Sequence, residues 1–410
     1  MRHDGRVPAV PQYFPSQREL DDLELLLTGA LAPRVGFDTT GPITLVLPDE
    51  VAVAAREAGG VELTDAEGMP LARVDTDGTA HALAAHVTGP FRRLYRAPQQ
   101  VRQDHADALF AALAAPPSED DLAEVQQARE GREVVLVALV GDGTPRGVGP
   151  VGLLRAALIA ARILGDAHVV AVPLASHGDA ALDAQLTAQV LEAYAGGQPL
   201  LLTGEGPLPA DVEDVVAQDH PPREEQGLVV FFTGLSGSGK STLARELHDL
   251  LLEDGRRTVT SLDGDVVRRN LSAGLGFSRE DRETNIRRIG WVAAEISRHR
   301  GVAICSPIAP FEQTRSQVRA DVERAGGAFF LVHVATPLAE CERRDKKGLY
   351  AKARAGQIPE FTGISSPYEE PHDADVRVDT TGRSVAEALA DVLGALATAG
   401  YLDLREDRDD

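Results

Sequence analysis

The chain has 410 residues with 63 Asp and Glu against 41 Lys and Arg, a formal net charge of -22. That balance excludes a general nucleic-acid or anionic-membrane surface, because such partners call for basic patches. The length exceeds one ordinary core and predicts two or three domains. The two cysteines, Cys305 and Cys341, offer no disulfide framework. The first residues lack the apolar core of a signal peptide and no apolar run reaches membrane length, so a soluble, cytoplasmic protein is expected.

In chain order, residues 20–27 predict a short helix leading into a loop punctuated by Gly29, Pro33 and Gly36. Short apolar runs at 43–47, 61–63 and 71–74, separated by turn residues, predict a small β-rich domain over residues 1–95. Residues 106–129, rich in alanine and leucine, read mostly as helix. Then a strand at 133–140, a loop at 141–149, an apolar helix at 153–164 and a strand at 168–174 make a βαβ unit. A helix at 181–194 and a strand at 199–202 extend it to residue 206, and the acidic, proline-bearing residues 207–226 read as a linker.

This half resembles the N-terminal half of ATP sulfurylases, the enzymes that make adenosine 5′-phosphosulfate (APS). The resemblance rests on Leu25-Leu26-Leu27-Thr28-Gly29-Ala30-Leu31-Ala32-Pro33 with Gly36-Phe37, on Pro42-Ile43-Thr44-Leu45, and on Leu63-Thr64-Asp65 with Glu67-Gly68. It implies a PUA-like domain followed by a truncated sulfurylase-like α/β domain over residues 96–206. In that family the first strand of the catalytic domain runs into a Gln-x-Arg-Asn-Pro-x-His motif that binds ATP phosphates. Here the same place reads Leu139-Val140-Gly141-Asp142-Gly143-Thr144-Pro145-Arg146-Gly147, with no histidine until His168. His177-Gly178-Asp179 is similar to a later sulfurylase segment, but reads as a turn.

From residue 227 to 402, strands alternate with helices, the pattern of a parallel sheet covered on both faces. The apolar run 228–232 ends in Gly234-Leu235-Ser236-Gly237-Ser238-Gly239-Lys240-Ser241, a complete phosphate-binding loop that opens a helix. Its glycines let successive amides face an anion, Lys240 reaches the β- and γ-phosphates, and the Ser241 hydroxyl ligates Mg²⁺. The next strand, 257–262, ends in Asp263-Gly264-Asp265, two carboxylates at the edge where open α/β sheets bind ligands. Each serves either as a helix cap or, beside a phosphate loop, in Mg²⁺ placement or proton abstraction. Arg268 lies three residues beyond Asp265, and Ser278 with Asp281 predicts an approximate capping box before a helix carrying Arg282 and Asn285 on one face. His333, inside an apolar strand, reads as a packed core histidine. Arg343, Arg344, Lys346, Lys347, Lys352 and Arg354 against the single interior acid Asp345 predict an anion-grasping lid with glycine hinges. Residues 403–410 form an acidic tail.

This half resembles APS kinases across nearly its whole length. The matching segments are Phe232 to Ser241, Leu262-Asp263-Gly264-Asp265, Gly274-Leu275-Gly276-Phe277-Ser278, Asp281-Arg282 with Asn285-Ile286-Arg287-Arg288, Lys347-Gly348-Leu349-Tyr350 and Phe361-Thr362-Gly363-Ile364. The resemblance implies a P-loop kinase fold and transfer of the γ-phosphoryl group of ATP to the 3′-hydroxyl of APS, giving 3′-phosphoadenosine 5′-phosphosulfate (PAPS). It implies that Gly234, Ser236, Gly237, Ser238, Gly239, Lys240, Ser241 and Thr242 hold ATP, with Arg344. It makes Asp265 the base or Mg²⁺ organiser beside Asp263, and has Ser241 and Asp265 hold Mg²⁺. It places Arg268 and Arg282 on the phosphosulfate, Asn285 and Lys347 in substrate positioning, and Phe277 and Phe361 around the adenine. Ser306, before a proline, matches a serine proposed to take up phosphate in some members; as a strand-end hydroxyl it bonds nearby backbone. A homodimer through the kinase half, with no nucleic-acid or membrane partner, and association with a separate ATP sulfurylase complete the expectation. The rival is a bifunctional PAPS synthase whose N-terminal half still makes APS. A guanine-nucleotide switch is disfavoured because no Asn-Lys-x-Asp occurs.

Overall fold

Apolar runs bounded by glycine and acidic turns become strands wherever both faces can be covered. In a computed structural model, which describes residues 9–84, 89–276, 278–345 and 347–402, they fall in two compact units, Met1–His220 and Pro221–Asp410. The tail at 403–410 lies outside the described residues. Among those described, no helix is long and apolar enough to cross a membrane.

The N-terminal unit opens with β1 (Gln12–Tyr13), α1 (Gln17–Thr28), α2 (Asp49–Ala58), β2 (Gly60–Thr64), β3 (Pro70–Asp75) and β4 (Ala80–Ala82). The strands form one sheet in the order β1-β2-β3-β4, parallel at its first pair and antiparallel thereafter. Ser16 caps α1 in a closed box with Glu19. The strand expected at 43–47 does not form. Ile43 is buried, but Val46 donates its amide to the Glu19 carboxylate at 2.7 Å and Ile43 donates to Asp38 at 3.2 Å. Side chains thus satisfy backbone groups that a neighbouring strand would otherwise take.

The unit continues with α3 (Pro98–Asp104), β5 (Leu109–Leu113), α4 (Glu119–Ala128), β6 (Val134–Leu139), α5 (Pro150–Leu164), β7 (Ala167–Val172), α6 (Ala180–Ala195), β8 (Leu200–Leu201) and α7 (Ala210–Asp219). The sheet order is β7-β6-β5-β8, all parallel. Two expectations are corrected here. The stretch 106–129 contains a central strand before its helix, because Leu109–Leu113 sits between β6 and β8, where two-sided burial outweighs the helix preference of Ala and Leu. The stretch 207–226 is not all linker: α7 starts after Pro209 and buries Val212 and Val215 against Ala156 and Ile159. The two N-terminal segments also share one core, in which Leu23, Leu63 and Val74 pack with Val135, Val170 and Tyr194.

Carboxylates are buried inside this core. Asp21 accepts the amide of Asp142 at 2.7 Å, and Asp22, fully buried, pairs with Nε2 of His177 at 3.2 Å, whose Nδ1 lies 3.6 Å from Asp183. Gly178 bends the chain at φ 76° and Asp179 caps α6, while His177 of the expected turn is held inside by Asp22 and Asp183. Burial pushes the Asp21 carboxyl from 3.8 up to about 7. A carboxyl whose folded value lies above its unfolded one stabilises fully only below about 3.8, and that contribution is lost as pH rises through about 7. Asp21→Asn is therefore expected to raise the melting temperature by several degrees at pH 8 and by clearly less at pH 5, on the scale of a few kcal/mol in a domain this size. A gain that is equal at the two pH values contradicts this reading.

The C-terminal unit runs β9 (Leu228–Thr233), α8 (Lys240–Asp254), β10 (Val259–Leu262), α9 (Gly264–Asn270), α10 (Arg279–Arg298), β11 (Val302–Cys305), α11 (Glu312–Arg324), β12 (Ala328–Val334), α12 (Leu338–Arg344), α13 (Leu349–Arg354), β13 (Val376–Val378) and α14 (Val385–Thr398). Its sheet is wholly parallel, in the order β10-β11-β9-β12-β13. Side chains of β9 alternate between two cores: Leu228, Val230 and Phe232 face α8 and α14, while Val229 and Phe231 face α10 and α11. Each such fully buried side chain contributes roughly 1.5–3 kcal/mol. The central position of β9 delivers the phosphate loop to the middle of the sheet's carboxyl edge.

Candidate functional site

The loop between β9 and α8 is shaped by close approach and by outside anchors. Gly234 lies so near β12 that a Cβ would stand 2.5 Å from the Val334 carbonyl oxygen, and Gly239 turns at φ 105° immediately before α8. Thr336 and Thr380 both donate hydroxyl bonds to the Ser238 carbonyl at 2.9 Å, and Tyr350 donates to the Ser236 carbonyl at 2.8 Å. Because a trans peptide is planar, an oxygen held outward turns the next amide the other way. The amides of Gly237 and Gly239 thus face away from these anchors, as a phosphate cradle requires. Ser238 Oγ is buried without a hydrogen-bond partner among the described residues, and Lys240, 8% exposed, donates its ammonium to the Leu235 carbonyl at 3.1 Å. Ser241 and Thr242 open α8 beside it. Polyphosphate fits this arrangement.

Across the edge, Asp263 follows β10 and Ser306 follows β11. Register between those strands pairs Leu262 with Cys305, which brings the next residues together, and Ser306 Oγ donates to Asp263 Oδ2 at 3.1 Å. Ser306 therefore bonds a carboxylate rather than the nearby backbone expected of a strand-end hydroxyl. Asp265 lies in the first turn of α9, and its side chain is outside what the structure describes, as is Phe277 altogether. Arg268, in the last turn of α9, donates to the Gly276 carbonyl at 2.9 Å. The capping box before α10 is only half formed: Ser278 accepts from Asp281, but Asp281 accepts from Gly276 at 3.0 Å instead of returning to Ser278.

Arg282 and Asn285 both face inward from α10. Arg282 donates to Thr362 Oγ1 at 2.9 Å and Ser366 Oγ at 3.3 Å and stands 3.7 Å from Glu360. Asn285 is 4% exposed with Oδ1 buried and unpartnered among the described residues. Phe361 packs edge-on against Tyr350 at 5.1 Å, so the ring borders the same segment that Arg282 grips. A cavity of about 650 Å³ runs from Leu235 of the loop to Gly363, Ile364, Ser365 and Ser366. His333 lines it as the packed histidine expected, 2% exposed, and burial pulls its imidazole down to about 4, so it stays neutral near pH 7.

The basic lid is less cationic than its composition predicts. Arg343 and Arg344 both pair with Glu340 at 2.7 Å, which holds that carboxyl near 2, and Arg354 pairs with Glu342. Asp345 is spent on the amides of Tyr350 and Ala351 at the start of α13. Arg344 nevertheless reaches the loop, donating to Thr380 Oγ1 at 2.8 Å and Gly237 O at 3.4 Å. Lys347 is exposed. Thr336, Thr380 and Tyr350 are the residues that sequence reasoning missed. Only Tyr350 carried a signal, as the end of the Lys347-Gly348-Leu349-Tyr350 segment.

Residues 226–379 match the model of the adenylylsulphate kinase family. This part of the chain belongs to that family. A solved structure described as a hexameric APS kinase from Thiobacillus denitrificans is 28% identical, superposes with a TM-score of 0.69, and covers 97% of this chain and 95% of that one. An APS kinase from Mycobacterium tuberculosis, solved with AMPPNP and APS, is 45% identical over 43% of this chain and 99% of that one, with a TM-score of 0.41. The sulfate adenylyltransferase of Neosartorya fischeri is 49% identical over 193 residues, 47% of this chain and 34% of that protein. The chain thus spans about a third of the length of the curated relatives it matches. The adenylylsulphate kinase domain is the one the sequence predicts for this half.

Proposed function

We propose that the protein transfers the γ-phosphoryl group of ATP to the 3′-hydroxyl of APS, giving PAPS and ADP. The observation that carries this is the convergence, at one carboxyl edge in an adenylylsulphate kinase domain, of an anchored phosphate loop, the Asp263–Ser306 pair and the inward Arg282 and Asn285. The loop amides and Lys240 hold the ATP phosphates, with Ser236, Gly237 and Ser238 positioned by Tyr350, Arg344, Thr336 and Thr380. Ser241 and Asp265 would hold Mg²⁺, which supplies charge neutralisation on the β- and γ-phosphates when bound. Arg268 and Arg282 take the phosphosulfate, and Asn285, Lys347, Phe277 and Phe361 position the nucleoside. Asp265 or Asp263 accepts the 3′-hydroxyl proton, and the Ser306 hydroxyl orients Asp263 for in-line transfer without a covalent intermediate.

The N-terminal unit is proposed as a structural or docking module, serving homodimerisation or a separate ATP sulfurylase. Adenylyl transfer to sulfate needs cations where charge develops on the α-phosphate. The one cation of the loop at 141–149, Arg146, is exposed and bonds the Thr203 carbonyl at 3.4 Å, while the amide of Asp142 is taken by the Asp21 carboxylate. The names of the curated relatives are consistent with the rival, a bifunctional synthase. One assay series separates the two. With Mg²⁺ and ATP, ADP release and chromatographic PAPS formation are expected with APS and not with AMP. With ATP, sulfate and pyrophosphatase, no sulfate-dependent phosphate release is expected. Absence of PAPS from folded, ATP-binding protein overturns the kinase reading, and sustained sulfate-dependent release overturns the module reading.

A further inference from the structure

We propose that His105, Glu133 and His168, in the N-terminal unit and outside any residue used above, form a binding site for a zinc-type transition-metal ion. Among the described residues they are the one cluster whose donor atoms all lie within 4.8 Å of one another. His105 Nδ1 stands 3.1 Å from Glu133 Oε1, His168 Nε2 stands 3.5 Å from Glu133 Oε2, and the two imidazole centroids are 4.7 Å apart. A tetrahedral ion with bonds of about 2.0–2.2 Å spaces its ligand atoms about 3.4 Å apart, so these donors close on it with movements of about an ångström. Two imidazoles and one carboxylate suit zinc, cobalt or nickel; magnesium and calcium prefer oxygen alone.

The fold explains why the three meet. His105 ends α3 and is buried, Glu133 precedes β6, and His168 is the second residue of β7, paired with Val135 in the parallel ladder. The amide of Leu109 bonds the Glu133 carbonyl at 2.9 Å, fixing the backbone beneath the carboxylate. Among the described residues, Arg96 has Nη1 3.4 Å from His105 Nε2 and is paired with Asp104. A guanidinium only donates, so His105 accepts at Nε2 and holds its proton on Nδ1 toward Glu133. Metal binding asks that proton to move to Nε2 and Arg96 to turn fully onto Asp104. The cluster sits at the amino end of the strands, opposite the edge where open α/β sheets bind substrates. A metal there ties the end of α3 to β6 and β7, and the half-exposed His168 leaves a coordination position open to water.

The test uses the full chain without a polyhistidine tag, stripped with EDTA and held in excess Mg²⁺ so that the oxygen-rich nucleotide site is filled. Cobalt is titrated alone and followed by its visible absorption. Cys305 and Cys341 are both buried, so thiolates do not compete. The expected result is a band saturating at one equivalent, displaced by zinc, with affinity at least tenfold weaker in His168→Ala and Glu133→Gln, the scale seen when a metal's supporting groups are removed. Zinc should also raise the melting temperature of the native chain and not of His168→Ala, by linkage. No saturable band in the native chain overturns the proposal, and so does an affinity in both variants equal to that of the native chain.

Discussion

Lys240→Ala is expected to lower turnover of APS by about a hundredfold or more, the effect of removing one preorganised charge from a transition state. Lys240 is the first residue of α8 and 8% exposed, so its ammonium acts where water screens it little. Charge on the β- and γ-oxygens changes as the phosphoryl group leaves, and a fixed cation there follows it without reorganisation. Alanine is the best helix former, so α8 itself should persist and the melting temperature should hold. Lys240→Arg is expected to rescue poorly, because a planar guanidinium does not fit a space built for a compact ammonium. Turnover within threefold of the native value in Lys240→Ala, with the fold intact, would remove the lysine from the mechanism.

The parts of the site that the sequence made legible are those whose chemistry fixes local spacing. The loop from Gly234 to Ser241 could be read because its tight backbone geometry and the helix start at Lys240 each require a residue at a set offset. The kinase strands could be read because β9, β11 and β12 are short, apolar but for Thr233 and His333, and bounded by breakers. Leu109–Leu113 could not, since alanine-rich sequence favours helix locally and only the flanking strands β6 and β8 make it a strand. The loop anchors Thr336 and Thr380 were hidden for the same reason: they lie 98 and 142 residues from Ser238 and converge on it only through strand order. The lid was misjudged differently. Glu340 lies three and four residues before Arg343 and Arg344, a helical pairing that sequence does encode. It was missed because the acid stands outside the run of basic residues.

Arg282→Ala is expected to reduce kcat/KM for APS by about a hundredfold while leaving KM for ATP within a fewfold. The magnitude follows from losing two charge-assisted hydrogen bonds of roughly 1.5–3 kcal/mol each, only part of which the altered site recovers through water. Arg282 is held on one side by α10 and on the other by Thr362 and Ser366, and its side chain is 14% exposed. It therefore joins the face of α10 proposed to take the acceptor to the segment carrying Phe361, whose ring rests on Tyr350, whose hydroxyl in turn bonds the Ser236 carbonyl. Removing the guanidinium should loosen the acceptor pocket before it disturbs ATP, because Tyr350 still anchors the loop. Arg282→Lys restores one charge but cannot span both hydroxyls, so it should recover only a small part of the loss. Two measurements decide the matter: initial rates with APS varied at saturating ATP, and the reverse. An equal loss in both would make Arg282 a general structural support, and an unchanged kcat/KM for APS would sink the assignment of acceptor binding to this face of α10.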